Sequence, residues 1–288
     1  MSTAYLKQFP EDQTQARRAL YEGAIFHFDA TPATRAVAKQ IFGEIEEHFA
    51  GTDPRHAQFT MDNDRFYQEI GVLRRRFYSE TRFHQMAAAL MREQGFDPTE
   101  HHFDPMRLRV VTDGGYRLPK AAPVYYPHRD TWYANPHGQL TWWLALHPTV
   151  AAESFAFYPE YFRTPVANNS EIFTYGSWVA ENWDKKIGWQ NQKADQPKAY
   201  PRLQQEINPG VVVPVVAQPG DVIVFAGAHL HRTLGHDQGR TRFSIDFRTV
   251  HGGDHAAGIG APNVDDRSRG STFVDHLAFQ DLTEVPRP

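Results

Sequence analysis

The chain has no cysteine among its 288 residues. Without a thiol it can form no disulfide, no thiolate metal site, no iron–sulfur cluster and no cysteine nucleophile. The lack of cysteine is also common in proteins of a reducing compartment, so we expect a cytoplasmic location.

Long apolar runs and a basic excess are missing too. No window approaches the roughly 18 apolar residues of a membrane span, and the first twenty residues lack the apolar core of a signal peptide. Lys and Arg number 30 against 34 Asp and Glu, a net charge of −4. A nucleic-acid binder usually shows the opposite balance. We therefore expect a protein that acts on a small molecule, with no membrane or nucleic-acid partner; the oligomeric state stays open.

The first hundred residues show helical periodicity. After Thr31-Pro32, a plausible N-cap and first-turn proline, apolar residues recur every four positions up to Gly51, namely Val37, Ile41, Ile45 and Phe49. A second helix is predicted to begin near Ser79 and to end before Gly95, with Phe83, Met86, Leu90 and Met91 on its apolar face. We interpret residues 1–105 as a helical support region.

Short β-rich segments bounded by turn residues follow, at 106–112, 139–147, 211–217, 221–227 and 242–250. Helices first and strands later favour a mainly β protein with flanking helices (α+β), built as a jelly-roll barrel. We expect one domain, 1–288, with the barrel at 106–250 and a tail at 251–288. The long polar stretch 151–209 contains Trp178, Trp183 and Trp189, and we interpret it as an insertion or lid. The glycine-rich start of the tail is expected to be mobile.

The segment 126–130, YPHRD, suggests a metal site. Residues two apart in a strand face the same side, so His128 and Asp130 can present one nitrogen and one oxygen to a single ion. A second histidine is available in the segment AHLH, 228–231. Two histidines and a carboxylate with open positions are the ligand set of non-haem Fe(II) oxygenases.

In this order the motifs resemble those of the Fe(II)/2-oxoglutarate-dependent oxygenases, in their phytanoyl-CoA dioxygenase-like branch, over residues 105–250. The resemblance rests on His128-Arg129-Asp130, on Pro219-Gly220-Asp221, on His231 ten residues after Asp221, and on Arg242 eleven further on. It implies a double-stranded β-helix that binds Fe(II) through His128, Asp130 and His231 and uses 2-oxoglutarate and O2, giving succinate and CO2. It further implies that Arg242 holds the far carboxylate of 2-oxoglutarate, with Thr233 close to the cosubstrate.

Spacing alone leaves a second assignment open, because Arg240 stands eleven residues after His229. The distance from Asp221 and the strand that begins at Arg242 favour the later pair. Arg240 and Arg248 are rivals for the cosubstrate, and Thr141 is a further candidate to contact it. His236 occupies the position where many relatives carry Asn.

Asp130 bears on the reaction. Related halogenases carry Gly or Ala at this position, so the aspartate favours hydroxylation, desaturation or cyclisation. The pattern H-R-D-x-x-x-x-N ending at Asn135 is also found in protein kinases, but the chain has no glycine-rich loop and no DFG. Two alternatives remain: a metal enzyme of the same barrel type without 2-oxoglutarate, and a non-catalytic ligand-binding barrel. Three aromatic residues are candidates to line a pocket, namely Trp132, Tyr133 and Trp178. Arg107 and Arg109, on one strand face, are candidates to bind an anionic substrate.

Overall fold

The structure, a computed structural model, describes residues 5–10, 12–182, 200–208 and 210–283. Its α-helices are α1 Gln13–Tyr21, α2 Pro32–His48, α3 Asn63–Ser79, α4 Thr81–Glu93, α5 Tyr175–Asn182 and α6 Gly252–Ala256. Its strands are β1 Ile25–Phe28, β2 His101–Val111, β3 Gln139–Ala145, β4 Phe155–Phe157, β5 Val213–Pro214, β6 Val222–Ala226, β7 His231–Thr233, β8 Arg242–His251 and β9 Leu277–Ala278. Of the three tryptophans in the insertion, Trp183 and Trp189 lie outside the described residues.

Two antiparallel sheets form the centre of the molecule. The large sheet has the order β1-β6-β3-β8-β2-β9, and the small sheet has the order β5-β4-β7. Side chains from both sheets meet in one buried cluster, which includes Trp143 and Phe225 from the large sheet and Phe157 from the small one. Two facing antiparallel sheets with crossing connections give the predicted jelly roll, so the α+β class and the double-stranded β-helix are confirmed.

Alternation along the strands of the large sheet separates two environments. On β3, Leu140, Trp142 and Leu144 point toward the N-terminal helices and belong to the main apolar core. Thr141 and Trp143 point to the opposite side, into the space between the sheets. Because successive side chains of a strand face opposite ways, the helices cover one face and leave the other to the cavity.

The helix predictions hold where the periodicity was strongest. Thr31 caps α2: its hydroxyl accepts the N–H of Thr34 at 3.2 Å, and Pro32 follows in the first turn. The second predicted helix is α4, which begins two residues after Ser79. The first hundred residues also contain α1, α3 and the strand β1, none of which the periodicity indicated. None of the helices in the described part of the chain has the length and apolarity that a bilayer crossing requires.

The strand predictions need three corrections. β2 begins at His101, five residues before the predicted start, and the segment 211–217 forms only the two-residue strand β5 with one further bridge at Ala217. The short strands β4 and β7 of the small sheet were not predicted. The start of the tail was expected to be mobile, whereas it forms α6, in which Asp254 accepts Arg17 Nε at 2.6 Å.

Candidate metal centre

His128 and His231 lie side by side on neighbouring backbones. The N–H of each residue donates to the carbonyl of the other at 2.9 Å, which makes a single antiparallel bridge. Residues paired in this way project their side chains to the same face of the sheet. The two imidazole rings accordingly have centroids 4.5 Å apart.

A backbone carbonyl orients each ring. Nδ1 of His128 lies 2.8 Å from the carbonyl of Tyr126, and Nδ1 of His231 lies 2.9 Å from that of His229. Since a carbonyl only accepts, Nδ1 carries the proton, and the free lone pair is left on Nε2 of both rings. Burial, with His128 close by, lowers the pKa of His231 to about 4, so this ring is neutral near pH 7.

Asp130 supplies the third donor. Its Oδ1 lies 3.7 Å from Nε2 of His128 and 3.8 Å from Nε2 of His231. One ligand atom from each of the three residues lies within 4.8 Å of the others, a spacing suited to one metal ion. Burial raises the pKa of Asp130, but the neighbouring imidazole of His128 and the charge of Arg248 lower it by more, so the pKa lies far below its usual range.

The route by which Asp130 reaches the site differs from the predicted one. The sequence interpretation placed His128 and Asp130 two apart on one strand, whereas Asp130 begins a short 3-10 helix, Asp130–Tyr133. Its second carboxylate oxygen, Oδ2, accepts the hydroxyl of Thr141 at 2.9 Å. The sequence interpretation made Thr141 a candidate to contact the cosubstrate, whereas its hydroxyl donates a hydrogen bond to the carboxylate of Asp130.

The residue between the two motif positions, Arg129, points away from the site and is fully buried. Its guanidinium donates to Asp265 at 3.0 Å and to the carbonyls of Ala228, Tyr161 and Thr164. Asp265 belongs to the C-terminal tail, which therefore packs behind the candidate metal-binding segment, 126–130. Nothing in the pattern of the tail signalled this contact.

The structure separates the two histidines that spacing left open. His231 joins the triad, whereas His229 packs among aromatic rings, with its centroid 4.5 Å from that of Phe162 and 5.4 Å from that of Phe157. Burial lowers the pKa of His229 to about 3, so it is a neutral core residue. His236, at the position where many relatives carry Asn, is also buried, and its Nε2 lies 3.2 Å from the carbonyl of Val111.

A cavity of about 350 Å³ opens between the sheets beside the triad. Three arginines compete for the cosubstrate role, and their partners differ. Arg240 binds Glu153 through two hydrogen bonds of 2.8 and 2.9 Å and does not line the cavity. Arg248 lines it but binds Asp104 at 3.0 Å. Arg242 also lines it, and it forms no ion pair with any acidic residue of the described part of the chain.

Arg242 is 2% exposed and donates from Nη1 to the hydroxyl of Ser244 at 2.7 Å. Its Nε is buried without a partner among the described residues. Burial lowers the pKa of Arg242 to about 10, so the group stays charged near neutral pH. A buried guanidinium with unused donors fits a carboxylate ligand.

Other predicted residues divide between cavity and core. Thr233, Tyr133 and Trp178 line the cavity. Trp132 does not, because its ring is fully buried and its Nε1 donates to Asp265 at 2.8 Å. Arg107 and Arg109 line the cavity and are paired, with Asp104 and Asp246 respectively. The sequence interpretation named neither aspartate.

A second cluster of possible ligands is accounted for by structural contacts. His27, Asp29 and Asp221 lie close together, but Asp29 pairs with Lys7 and the carboxylate of Asp221 accepts the N–H groups of Ala30 and Gln218. Asp221 belongs to the Pro219-Gly220-Asp221 turn, where Gly220 has φ +92° and a Cβ would lie 2.8 Å from the backbone of Arg35. This motif therefore fixes a turn.

No protein-family model matches the chain, and no curated protein is significantly similar to it. Several solved structures are similar at a distance. They include the epimerase SnoN in complex with Fe3+, alpha ketoglutarate and nogalamycin RO, 15% identical over 83% of this chain and 84% of that one, with a TM-score of 0.41. EctD from S. alaskensis with 2-oxoglutarate and 5-hydroxyectoine is 12% identical over 94% and 93%, with a TM-score of 0.41. EvdO2 from Micromonospora carbonacea var. aurantiaca is 13% identical over 85% and 94%, with a TM-score of 0.45. The likeness is distant, and the chemistry of this chain follows from its own residues.

Proposed function

We propose that the chain is an Fe(II)- and 2-oxoglutarate-dependent oxygenase that hydroxylates, desaturates or cyclises a small molecule. One observation carries the proposal. His128, Asp130 and His231 converge at a cavity that also contains Arg242, a buried cation without an acidic partner in the described part of the chain. A metal-binding triad and a free guanidinium in one cavity suit a metal ion together with a dicarboxylate.

The donor set fits ferrous iron. Two imidazole nitrogens and one carboxylate oxygen are the donor set of facial non-haem Fe(II) sites, which leave other positions open. His128, Asp130 and His231 would hold the ion. When bound, Fe(II) with 2-oxoglutarate supplies the activation of O2, with succinate and CO2 as co-products.

Arg242 would hold the far carboxylate of 2-oxoglutarate. Its planar fork can bind a carboxylate through two parallel hydrogen bonds, and Ser244 already fixes one end of that fork. Thr233, two residues after His231 on β7, lies on the same strand face and also lines the cavity. These side chains set the direction of the cosubstrate.

Aromatic side chains stand beside the two histidines of the triad. Tyr133 stands edge-on to the ring of His128, with centroids 5.4 Å apart. Phe225 lies 5.4 Å from the ring of His231. This aromatic surface shields the two histidines from solvent, and limited access of water protects reactive species from side reactions.

The test is anaerobic titration of the protein with Fe(II) and 2-oxoglutarate, followed by the visible charge-transfer band of the complex. We expect the band in the wild type and its loss in His128→Ala. In Arg242→Met the metal should still bind, but the apparent affinity for 2-oxoglutarate should fall at least about tenfold. Arg117→Met is the matched control, because Arg117 pairs with Asp237 on the surface.

Two results would point elsewhere. Metal binding without any effect of 2-oxoglutarate, and with no succinate formed on turnover, would indicate a metal enzyme of the same barrel type that does not use this cosubstrate. Failure of the wild type to take up Fe(II) would indicate a binding barrel without catalytic metal.

A further inference from the structure

The cavity has a second charged group beside the triad, formed by two arginines that share one aspartate. Arg107 donates to Asp104 through Nε and Nη2 at 2.9 and 2.8 Å, and Arg248 donates to Asp104 Oδ2 at 3.0 Å. All three side chains line the cavity. Together these three residues carry a net charge of +1.

This group lies next to the candidate metal ligands. In the large sheet, Thr141 on β3 pairs with Arg248 on β8, and Arg248 pairs with Asp104 on β2. Thr141 donates to Asp130. The three inward residues therefore form a row that begins at the metal carboxylate, and the positive charge of Arg248 stabilises the ionised form of Asp130.

A bound divalent ion would change the balance of charge in this row. The ion would neutralise Asp130, so that Arg248 would keep one direct ion pair, with Asp104, which Arg107 already binds through two hydrogen bonds. Iron, Asp130, the 2-oxoglutarate dianion and Arg242 sum to zero (+2, −1, −2 and +1). The metal half of the cavity would then provide no counter-charge for Arg248.

The other two aspartates of the cavity wall are engaged by other side chains, although Asp246 also lies close enough to stabilise the charge of Arg248. Asp246 accepts Arg109 at 2.6 Å, and Asp275 accepts the hydroxyl of Tyr175 at 2.5 Å. Arg74 adds another cation; it donates to the carbonyl of Leu108, and burial lowers its pKa to about 9. Outside the metal half, the lining therefore contains four arginines (Arg74, Arg107, Arg109 and Arg248) and three aspartates (Asp104, Asp246 and Asp275), a net charge of +1.

We propose that the substrate is a small carboxylic acid whose carboxylate binds Arg248. This inference rests on the proposed function and specifies its substrate. A guanidinium with one edge on Asp104 still presents donors to a second carboxylate. Tyr133, Tyr175 and Trp178 also line the cavity, with the last two rings stacked 6.0 Å apart. These rings suit an apolar body, so the substrate combines one negative charge with a hydrocarbon or ring portion.

The experiment measures binding rather than turnover. Protein loaded with Zn(II) and 2-oxoglutarate is titrated by calorimetry with matched pairs of acid and amide, namely phenylacetate with phenylacetamide and hexanoate with hexanamide. Sulfate and phosphate serve as anions without an apolar body. We expect each acid to bind on the order of tenfold or more tightly than its amide, and more tightly than the inorganic anions.

Arg248→Met should remove the preference for the acid, and Arg248→Lys should keep part of it. Asp104 keeps both hydrogen bonds from Arg107 in these variants, so the fold is expected to survive. Arg117→Met lowers the net charge by the same amount outside the cavity and should bind the acids as the wild type does. Three results would overturn the inference. They are equal affinities for acid and amide, tighter binding of the inorganic anions or of phenethylamine than of the acids, and no binding by either member of both pairs.

The charge-transfer band separates this inference from the proposed function. If Arg248→Met loses 2-oxoglutarate while Arg242→Met retains it, Arg248 serves the cosubstrate and the inference is wrong, although the oxygenase proposal stands. If the wild type itself forms no complex with Fe(II) and 2-oxoglutarate, the proposed function fails first.

Discussion

His128 and His231 exchange both of their backbone hydrogen bonds, and this bridge places their rings side by side. The bridge extends the small sheet, because β7 pairs in turn with β4. The positions of both imidazoles are therefore set by the sheet itself and not by side-chain packing alone. A site built on paired backbone holds its geometry better than one built on a free loop.

Replacing His231 should remove metal binding, whereas replacing His229 should not. We expect His231→Ala to weaken Co(II) binding by at least about a hundredfold, because loss of an outer partner alone costs about 10–100-fold. His229→Leu keeps an apolar side chain among Phe157, Phe162 and Phe225 and should bind Co(II) within about threefold of the wild type. Calorimetric titration measures both. A larger loss in His229→Leu than in His231→Ala would reverse the assignment.

Thr141 is expected to position the metal carboxylate. Its hydroxyl occupies Oδ2 of Asp130, which leaves Oδ1 toward the two imidazoles. Thr141→Val keeps the shape but removes the donor, so metal affinity should fall by about tenfold. Thr141→Ser keeps the hydroxyl and should recover most of that loss. Co(II) titration, with the visible spectrum as a report on ligand geometry, distinguishes these variants; equal affinity in Val and Ser would exclude the role.

Asp265 is predicted to hold the tail against the candidate metal-binding segment. It accepts Arg129, Trp132 Nε1 and the N–H of Val166, and its side chain and that of Arg129 are buried. Asp265→Ala leaves a buried guanidinium without its counter-ion, so the free energy of unfolding should fall by about 3–5 kcal/mol.

The control is Asp237→Ala, which breaks the exposed pair with Arg117 and should cost about 0–1 kcal/mol. Urea unfolding followed by fluorescence measures both values. Similar losses in the two variants would show that the tail contributes little to this segment.

How far the sequence predicts this fold depends on the length of each element. α2 repeats its apolar residues over several turns and was predicted to within a few residues. β4 and β7 have three residues each, too few to show alternation, and they are strands only because β4 pairs with β7 and β5. Their existence is a property of tertiary pairing.

The candidate site divides in the same way. The triad was predicted because its residue types and order form a motif, and its role as a metal site stays a prediction. Asp104, Asp246 and Asp265 were missed because a single aspartate in a strand or loop carries no local signal. Only the register between β2 and β8 shows that Asp104 lies beside Arg248, and only the folded tail brings Asp265 to Arg129.

Acid should destabilise the protein through a histidine outside the candidate triad. His147 is buried, with Nε2 accepting the N–H of Phe243 at 2.9 Å and Nδ1 lying 3.0 Å from the carbonyl of Pro148. Burial lowers its pKa to about 4, against roughly 6.5 in an unfolded chain. The unfolded state therefore takes up the proton first as the pH falls. The stability from this residue is complete above about pH 6.5, and is lost progressively toward pH 4.

At pH 5 this linkage amounts to about 2 kcal/mol. His147→Leu leaves the Phe243 N–H without its acceptor, so the variant should be less stable than the wild type at pH 7. At pH 5 the gap in the free energy of unfolding between the two proteins should be smaller by that amount, because the variant has no imidazole to take up a proton. His56→Leu, at an exposed position, is the control for the loss of a histidine. Urea unfolding at the two pH values measures the gap. A gap that stays constant would mean that His147 is protonated equally in the folded and unfolded chain, and that the hydrogen bond from Phe243 does not hold it neutral.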